Sequence, residues 1–161
     1  MALRLTAAAD YAIRAMIHIA CIPEGSPAMG HDVARMQGIP HSFMAKILRR
    51  LVGGGLLRST RGAHGGFFLA RPATQLNLLE VVEAIEGPLT LTTCSSGPGG
   101  CQWAPDCPAS AVWHQVQEQM ADVLRSSTLE SMVCMPRKNG KVAMHTGALR
   151  ETSSPPSTRM G

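Results

Sequence analysis

Three cysteines, Cys94, Cys101 and Cys107, stand with six and five residues between neighbours. They share a stretch, Thr92–Cys107, that holds three glycines, two prolines and no hydrophobic period. A segment of that composition can wrap around a metal centre, and thiolates suit soft centres such as zinc or iron–sulfur clusters. The tight Cys-x-x-Cys knuckles usual for zinc are absent. Three thiolates leave a four-ligand centre one short, so the fourth ligand must come from elsewhere. The alternative is three unrelated free thiols in a loop. Cys107 directly precedes Pro108, a residue suited to open a helix, and negative charge is favoured at a helix start. Cys21 is expected to be a packed thiol near the apolar side of the first helix, since buried free cysteine behaves as a small hydrophobe. Cys134 has no companions, and His114 is only a weak ligand candidate.

A second set of residues has the chemistry to meet a polyanion. His41, Ser42, Phe43, Lys46, Arg49 and Arg50 crowd one short stretch, and Arg61 and His64 lie in a glycine-rich loop after it. On a helix laid in a major groove, N-terminal residues reach base edges and later basic residues meet phosphates. That assigns His41, Ser42 and Phe43 to bases and Lys46, Arg49 and Arg50 to the DNA backbone. A loop of small residues permits close approach to the sugar-phosphate surface, where Arg61 can enter a minor groove beside His64.

These residues need elements to position them. Apolar residues from Ala8 to Ala20 recur at three- and four-residue steps, which predicts a helix over 6–22. A short helix follows at about His31–Gln37, and Gly38-Ile39-Pro40 turns the chain. Ser42 is placed to cap a third helix reaching about Val52, with Phe43, Ile47, Leu48 and Leu51 inward. Leu56–Thr60 and Phe67–Leu69 read as two strands joined by Arg61–Gly66. Asn77 caps a helix that Gly87-Pro88 ends. A last helix runs from about Ala109 to Leu129, with Val112, Val116, Met120, Val123 and Leu124 on one side and Trp113 beside them. No other part of the chain is large enough to cover that stripe, so a second copy is its natural cover.

The charge is divided unevenly among 161 residues. Residues 1–72 hold nine Lys/Arg against three Asp/Glu, residues 73–135 one against seven, and residues 136–161 five against one. A basic head on an acidic body suits a DNA-binding module carried by a part with another task. No apolar run approaches the length of a membrane-spanning helix. The first residues lack a secretory pattern, so a cytoplasmic protein with reduced thiols is expected. Paired catalytic carboxylates, a Cys-His-Asn arrangement and a phosphate-binding Gly-Lys-Ser/Thr loop are all missing, which argues against an enzyme.

Over about residues 3–135 the chain resembles the winged-helix regulators of the IscR/NsrR superfamily. The resembling stretches are Leu3–Thr6 with Asp10-Tyr11-Ala12, then Val33-Ala34 through Gly38-Ile39-Pro40. Arg58–Arg71, Glu80–Gly87 and the three-cysteine loop complete them. The resemblance implies a mainly α fold with a small β-hairpin, namely a winged helix-turn-helix DNA-binding domain plus a long dimerisation helix. Its parts are a DNA-binding domain (1–72), a connecting helix (73–91), a cluster-binding cysteine loop (92–108), a dimerisation helix (109–135) and a disordered basic tail (136–161). It further implies a homodimeric repressor on a double-stranded operator, with an iron–sulfur cluster on Cys94, Cys101 and Cys107. Members governing cluster assembly usually supply a histidine three residues after the last cysteine, where this chain has Ser110. Members sensing nitric oxide through a 4Fe–4S cluster can use an aspartate from the partner's first helix, and Asp10 matches it. A 4Fe–4S cluster answering nitric oxide is therefore favoured, with a 2Fe–2S redox sensor or assembly regulator as the alternative.

Overall fold

The computed structural model describes residues 5–62, 65–95 and 100–133. The expectations for His64, Cys134 and the tail 136–161 fall outside those residues. Six helices and one hairpin are described: α1 (Ala7–Ala20), α2 (Gly30–Gln37), α3 (His41–Gly53), β1 (Leu57–Thr60), β2 (Gly66–Leu69), α4 (Leu78–Glu86), α5 (Pro108–Ser126) and α6 (Leu129–Val133). Single 3₁₀ turns lie at Ala73–Gln75, Thr93–Ser95 and Ala104–Asp106. The fold is thus mainly helical with one antiparallel hairpin, as the sequence suggested. Among the described residues no helix is long and apolar enough to cross a membrane.

Helix α1 is the hub. Thr6 caps it, its hydroxyl accepting from the Ala9 N–H, and its own backbone N–H donates to Glu86 Oε1 at 2.8 Å. That second bond ties the start of α1 to the end of α4. The buried face of α1 is Ala9, Ala12, Ala15, Met16 and Ile19, and α2, α3, α4, α6 and β2 all pack against the helix. Cys21 stands as the C-cap of α1 and is exposed. The expected packed thiol is therefore corrected, because the helix ends one residue before Cys21 and the turn carries it off the apolar stripe.

The helix-turn-helix is built as its turn residues require. Gly38 closes α2 at φ +67°, a left-handed conformation that glycine adopts without steric cost. Helix α3 begins at His41 with Pro40 as its N-cap, and no side chain caps it. Ser42 sits inside the first turn instead, because Pro40 already holds the φ that leads into a helix. Its inward residues are Met44, Ile47, Leu48 and Leu51. Met44 takes the core place expected of Phe43, and the two differ by only one 100° step around the helix.

In the hairpin Leu57 faces Leu69, Arg58 faces Phe68, Ser59 faces Phe67 and Thr60 faces Gly66. The segment before α2 joins its edge, since Ala28 and Phe67 exchange both backbone hydrogen bonds at 2.9 Å. At Gly65 a Cβ would lie 2.3 Å from the Thr60 carbonyl oxygen, so the loop cannot close with any larger residue there.

Asn77 and Glu80 form a reciprocal capping box at the start of α4, which satisfies two backbone donors at once. The long last helix expected over 109–129 is two. Helix α5 stops at Ser126, and Ser127-Thr128 cross the segment before α4, with Leu78 N donating to Ser127 O and Leu129 N to Leu76 O. Thr128 Oγ1 then accepts from the Ser131 N–H and starts α6. This bend seats Leu129 in the core at 0% exposure. A straight helix would have carried it away from α1.

Leu129 therefore provides a test of the bend. Truncating a fully buried leucine costs about 2–5 kcal/mol. Leu129→Ala is expected to lower the unfolding free energy by that amount in urea titration. A near-neutral result would mean that α5 continues straight and Leu129 lies on the surface.

Candidate DNA interface and thiol loop

Helix α3 presents His41, Ser42, Phe43, Lys46 and Arg49 to solvent, opposite its buried stripe. Phe43 is anchored while exposed, its ring edge-to-face with Tyr11 of α1 at 6.0 Å and 87°. Such a pair adds roughly 0.5–1.5 kcal/mol beyond area burial, so it holds the first turn of α3 against α1. Arg50 differs from its neighbours. Its Nη1 donates to the Ile85 carbonyl at 2.8 Å, and one of the last carbonyls of α4 is thereby satisfied. That bond uses one of the five guanidinium N–H donors, and Arg50 remains exposed beside Lys46 and Arg49.

Arg61 is exposed at the start of the hairpin loop, and His64 is not among the described residues. One basic wing residue escaped the sequence reading. Arg58 lies on the exposed face of β1 with its guanidinium 4.6 Å from the centroid of the Phe68 ring across the hairpin. The period-two alternation Leu57-in, Arg58-out would have found it. Charge, helix and hairpin together give one domain an exposed basic surface built on a rigid scaffold.

The three loop thiols are free and half-buried. The turn Thr93–Ser95, which carries Cys94, packs on α5. The Thr92 hydroxyl lies 2.9 Å from Cys94 Sγ. The Leu91 N–H donates to Gln117 Oε1 of α5 at 3.1 Å. Cys101 precedes the turn at Ala104–Asp106, its carbonyl accepting from the Ala104 N–H. Cys107 is the N-cap residue of α5, and its carbonyl accepts from the Ser110 N–H. Ser110, in the place where the family resemblance suggested a histidine, is the buried residue of α5.

Among the described residues no three His, Cys, Asp or Glu side chains stand together as a metal-binding group. His114 is exposed on α5. Asp10 is exposed on α1, its carboxylate 60% accessible and 3.6 Å from Arg14. Arg14 in turn lies over the Tyr11 ring, 5.6 Å from its centroid. By donor type the loop fits an iron–sulfur cluster, offering three free, half-buried thiols and no competing disulfide among the described residues. By position the thiols are spread along the segment rather than gathered.

Residues 5–135 match the Rrf2 family, described as "Iron-dependent Transcriptional regulator". The chain is 30% identical over 158 residues to the HTH-type transcriptional regulator IscR of Escherichia coli O9:H4 (strain HS), covering 98% of this chain and 94% of that protein. Among solved structures, T. potens IscR superposes with a TM-score of 0.66 at 26% identity, over 83% of this chain and 88% of that one. CymR (YrzC), the global cysteine regulator of B. subtilis, gives a TM-score of 0.67 at 21% identity over 82% and 97%, a likeness of fold.

The different placements of the α3 cations separate two kinds of effect. Lys46→Ala and Arg49→Ala are each expected to weaken DNA binding across all sequences and to reduce the salt slope by about one. Arg50→Ala is expected to act on folding as well, losing about 1–3 kcal/mol through the orphaned Ile85 carbonyl. Fluorescence-anisotropy titrations at several salt concentrations, with parallel urea melts, distinguish them. Equal salt slopes for Arg49→Ala and the parent would remove Arg49 from the interface.

Proposed function

Because the chain belongs to the Rrf2 family of transcriptional regulators, we propose that it acts as a homodimeric repressor whose operator affinity is set by an iron–sulfur cluster. The ligands in this reading are Cys94, Cys101 and Cys107, with Asp10 reaching over from the second copy. His41, Ser42 and Phe43 read base edges in one half-site, Lys46, Arg49 and Arg50 hold its phosphates, and Arg61 and His64 meet the neighbouring groove. Arg50 also ties α3 to the end of α4 through Ile85.

The observation that supports this reading is the double character of α5. Its first turn starts at Cys107, and its outer face carries Val112, Trp113, Val116 and Val123 exposed to solvent, Val112 at 58% and Val123 at 64%. Nineteen residues span ~28 Å, and an apolar face of that length is suited to a second copy of the same helix. One thiol of the loop, Cys107, and the dimer face thus belong to the same helix. Any change in how Cys107 is held is passed to the relative placement of two DNA-reading heads.

Asp10 is well suited to recruitment across such a dimer. Its partner Arg14 is itself about half exposed, and ion pairs of that kind contribute ~0–1 kcal/mol. Exchanging Arg14 for another partner therefore costs little. A carboxylate is a harder, more labile ligand to iron than thiolate. When bound, the cluster supplies an iron open to nitric oxide. Releasing the carboxylate and the loop would return Asp10 to Arg14 and free the first turn of α5, misaligning the heads. The rival signal, a 2Fe–2S redox state or the supply of clusters, is favoured by the relatives named IscR. Ser110 in place of histidine favours the carboxylate and nitric oxide.

Anaerobic purification, iron and sulfide analysis and band-shift titration with a nitric oxide donor test the reading. A misplacement worth ~3 kcal/mol weakens operator binding about a hundredfold. Asp10→Ala is expected to lose the nitric oxide response, and Val116→Asp to yield monomers in analytical ultracentrifugation. Two iron and two sulfide per chain with an unchanged shift under nitric oxide would select the redox reading. Colourless protein from iron-replete, oxygen-free cultures would refute the cluster itself.

A further inference from the structure

Cys94 has neighbours that neither of the other two thiols shows among the described residues. Two residues upstream the Thr92 hydroxyl oxygen lies 2.9 Å from its sulfur. One residue before that, the Leu91 N–H is held by the Gln117 side-chain carbonyl at 3.1 Å. Gln117 belongs to α5, ten residues after Cys107 and thus about three turns into that helix. Both contacts are partly buried, where hydrogen bonds are less diluted by water. The turn carrying Cys94 is packed on the same helix.

We propose that Thr92 and Gln117 are positioning residues for Cys94 as a metal ligand, Thr92 by donating its hydroxyl proton to the ligated sulfur and Gln117 by clamping the Leu91 amide to α5. This rests on the proposed ligand set and deepens it. In a free thiol either atom of the Thr92–Cys94 pair can donate. A metal-bound thiolate has no proton, so the hydroxyl becomes the donor and the bond becomes charge-assisted. Such a bond stabilises negative charge on the sulfur and fixes its direction, the usual work of groups around a metal's direct ligands. Gln117 acts one step further out. Without its clamp, Leu91–Cys94 is held less firmly to α5, and the distance between Cys94 and the Cys107 end of the helix is less defined.

The two roles also differ in kind. The hydroxyl touches the sulfur electronically, so its loss should alter a thiolate-to-metal absorption band and shift the potential of a loaded cluster downward, because hydrogen bonds to cluster sulfurs favour the reduced state. The clamp touches only the backbone, so its loss should weaken binding while leaving the band in place.

Cobalt(II) titration of anaerobic, metal-free protein provides the test, read by thiolate-to-cobalt charge-transfer absorption. Thr92→Val, which keeps the shape and removes the hydroxyl, is expected to weaken cobalt binding about tenfold and to displace the band, whereas Thr92→Ser restores both. Gln117→Met is expected to weaken binding severalfold with an unmoved band, and Gln117→Glu, which keeps an acceptor, to recover. Far-UV circular dichroism and urea midpoints accompany each variant, and the Ser and Glu variants keep the comparison valid if Val or Met disturbs folding. Thr92→Val matching the parent, or Thr92→Ser as weak as Thr92→Val, would overturn the proposal for the hydroxyl. Gln117→Met binding as tightly as the parent would do so for the clamp. Cys94→Ser separates the two levels. A parental band and affinity in that variant would remove Cys94 from the ligand set altogether, while loss of the band in Cys94→Ser with a parental Thr92→Val would sink only the positioning role.

Discussion

Close approach to α1 is the constraint that organises this molecule. Ala9, Ala12 and Ala15 put only methyl groups on its buried face, so neighbouring backbones can come near and many elements can share one short helix. Met16 and Ile19 then fill the space that the alanines leave. An added methylene at any of the three would push against well-packed neighbours and disturb several elements together. The same helix is tied to α4 through Thr6 and Glu86, and to the first turn of α3 through Tyr11 and Phe43. The exposed face of α3, the proposed DNA-reading surface, therefore inherits its position from α1. Asp10 sits on the same helix, one residue from Tyr11, so on the proposed reading ligation of its carboxylate would act on the element that seats α3.

Helix α5 is built on the opposite plan. Ser110 is its buried residue, and the rest stands away from the core that α1 gathers. What fixes it are its two ends and one face, through the thiol loop at Cys107, the backbone bonds at Ser127 and Leu129, and contacts with α4. An amphipathic helix gains most of its stability from packing an apolar face. With that face uncovered in a single chain, α5 depends on what is brought to it. Two requirements, covering the face and gathering the thiols, thus converge on one element.

The sequence was informative where physics is local. The periodic stripe of α1, the left-handed turn at Gly38, the glycine-rich hairpin and the Asn77 cap each rest on a few adjacent residues, and each was found within a residue or two. What escaped depends on partners far along the chain. Nothing near Leu129 announces that Leu76 and Leu78 will take the backbone bonds that end α5, so the apolar period read straight through the bend. Phe43 and Met44 are adjacent and both apolar, and it is Met44 that stands three, four and seven residues before Ile47, Leu48 and Leu51 and shares their buried face. Arg50 reads as a phosphate contact by charge and spacing, and its additional bond to Ile85, thirty-five residues away, could be seen only in the fold. The candidate site divides in the same manner. The types of its residues were legible, whereas the hydroxyl on Cys94 and the Gln117 clamp required the fold.

The spread of the three thiols has a physical meaning on the proposed reading. Bringing three sulfurs to one centre would fix backbone, and each residue fixed costs about 1–2 kcal/mol of entropy. The hydrogen bonds at Leu91, Ala104 and Ser110 hold the described parts of that segment, and among the described residues the thiols do not form a metal-binding group. Bonds to a metal are strong enough to meet the remaining cost, which couples ligation to local folding. On the proposed reading that coupling would make the loop a switch, with the first turn of α5 passing its state to the rest of the protein. A site already closed without its metal would hold iron more firmly, but losing the iron would then change little that the DNA-reading heads could register.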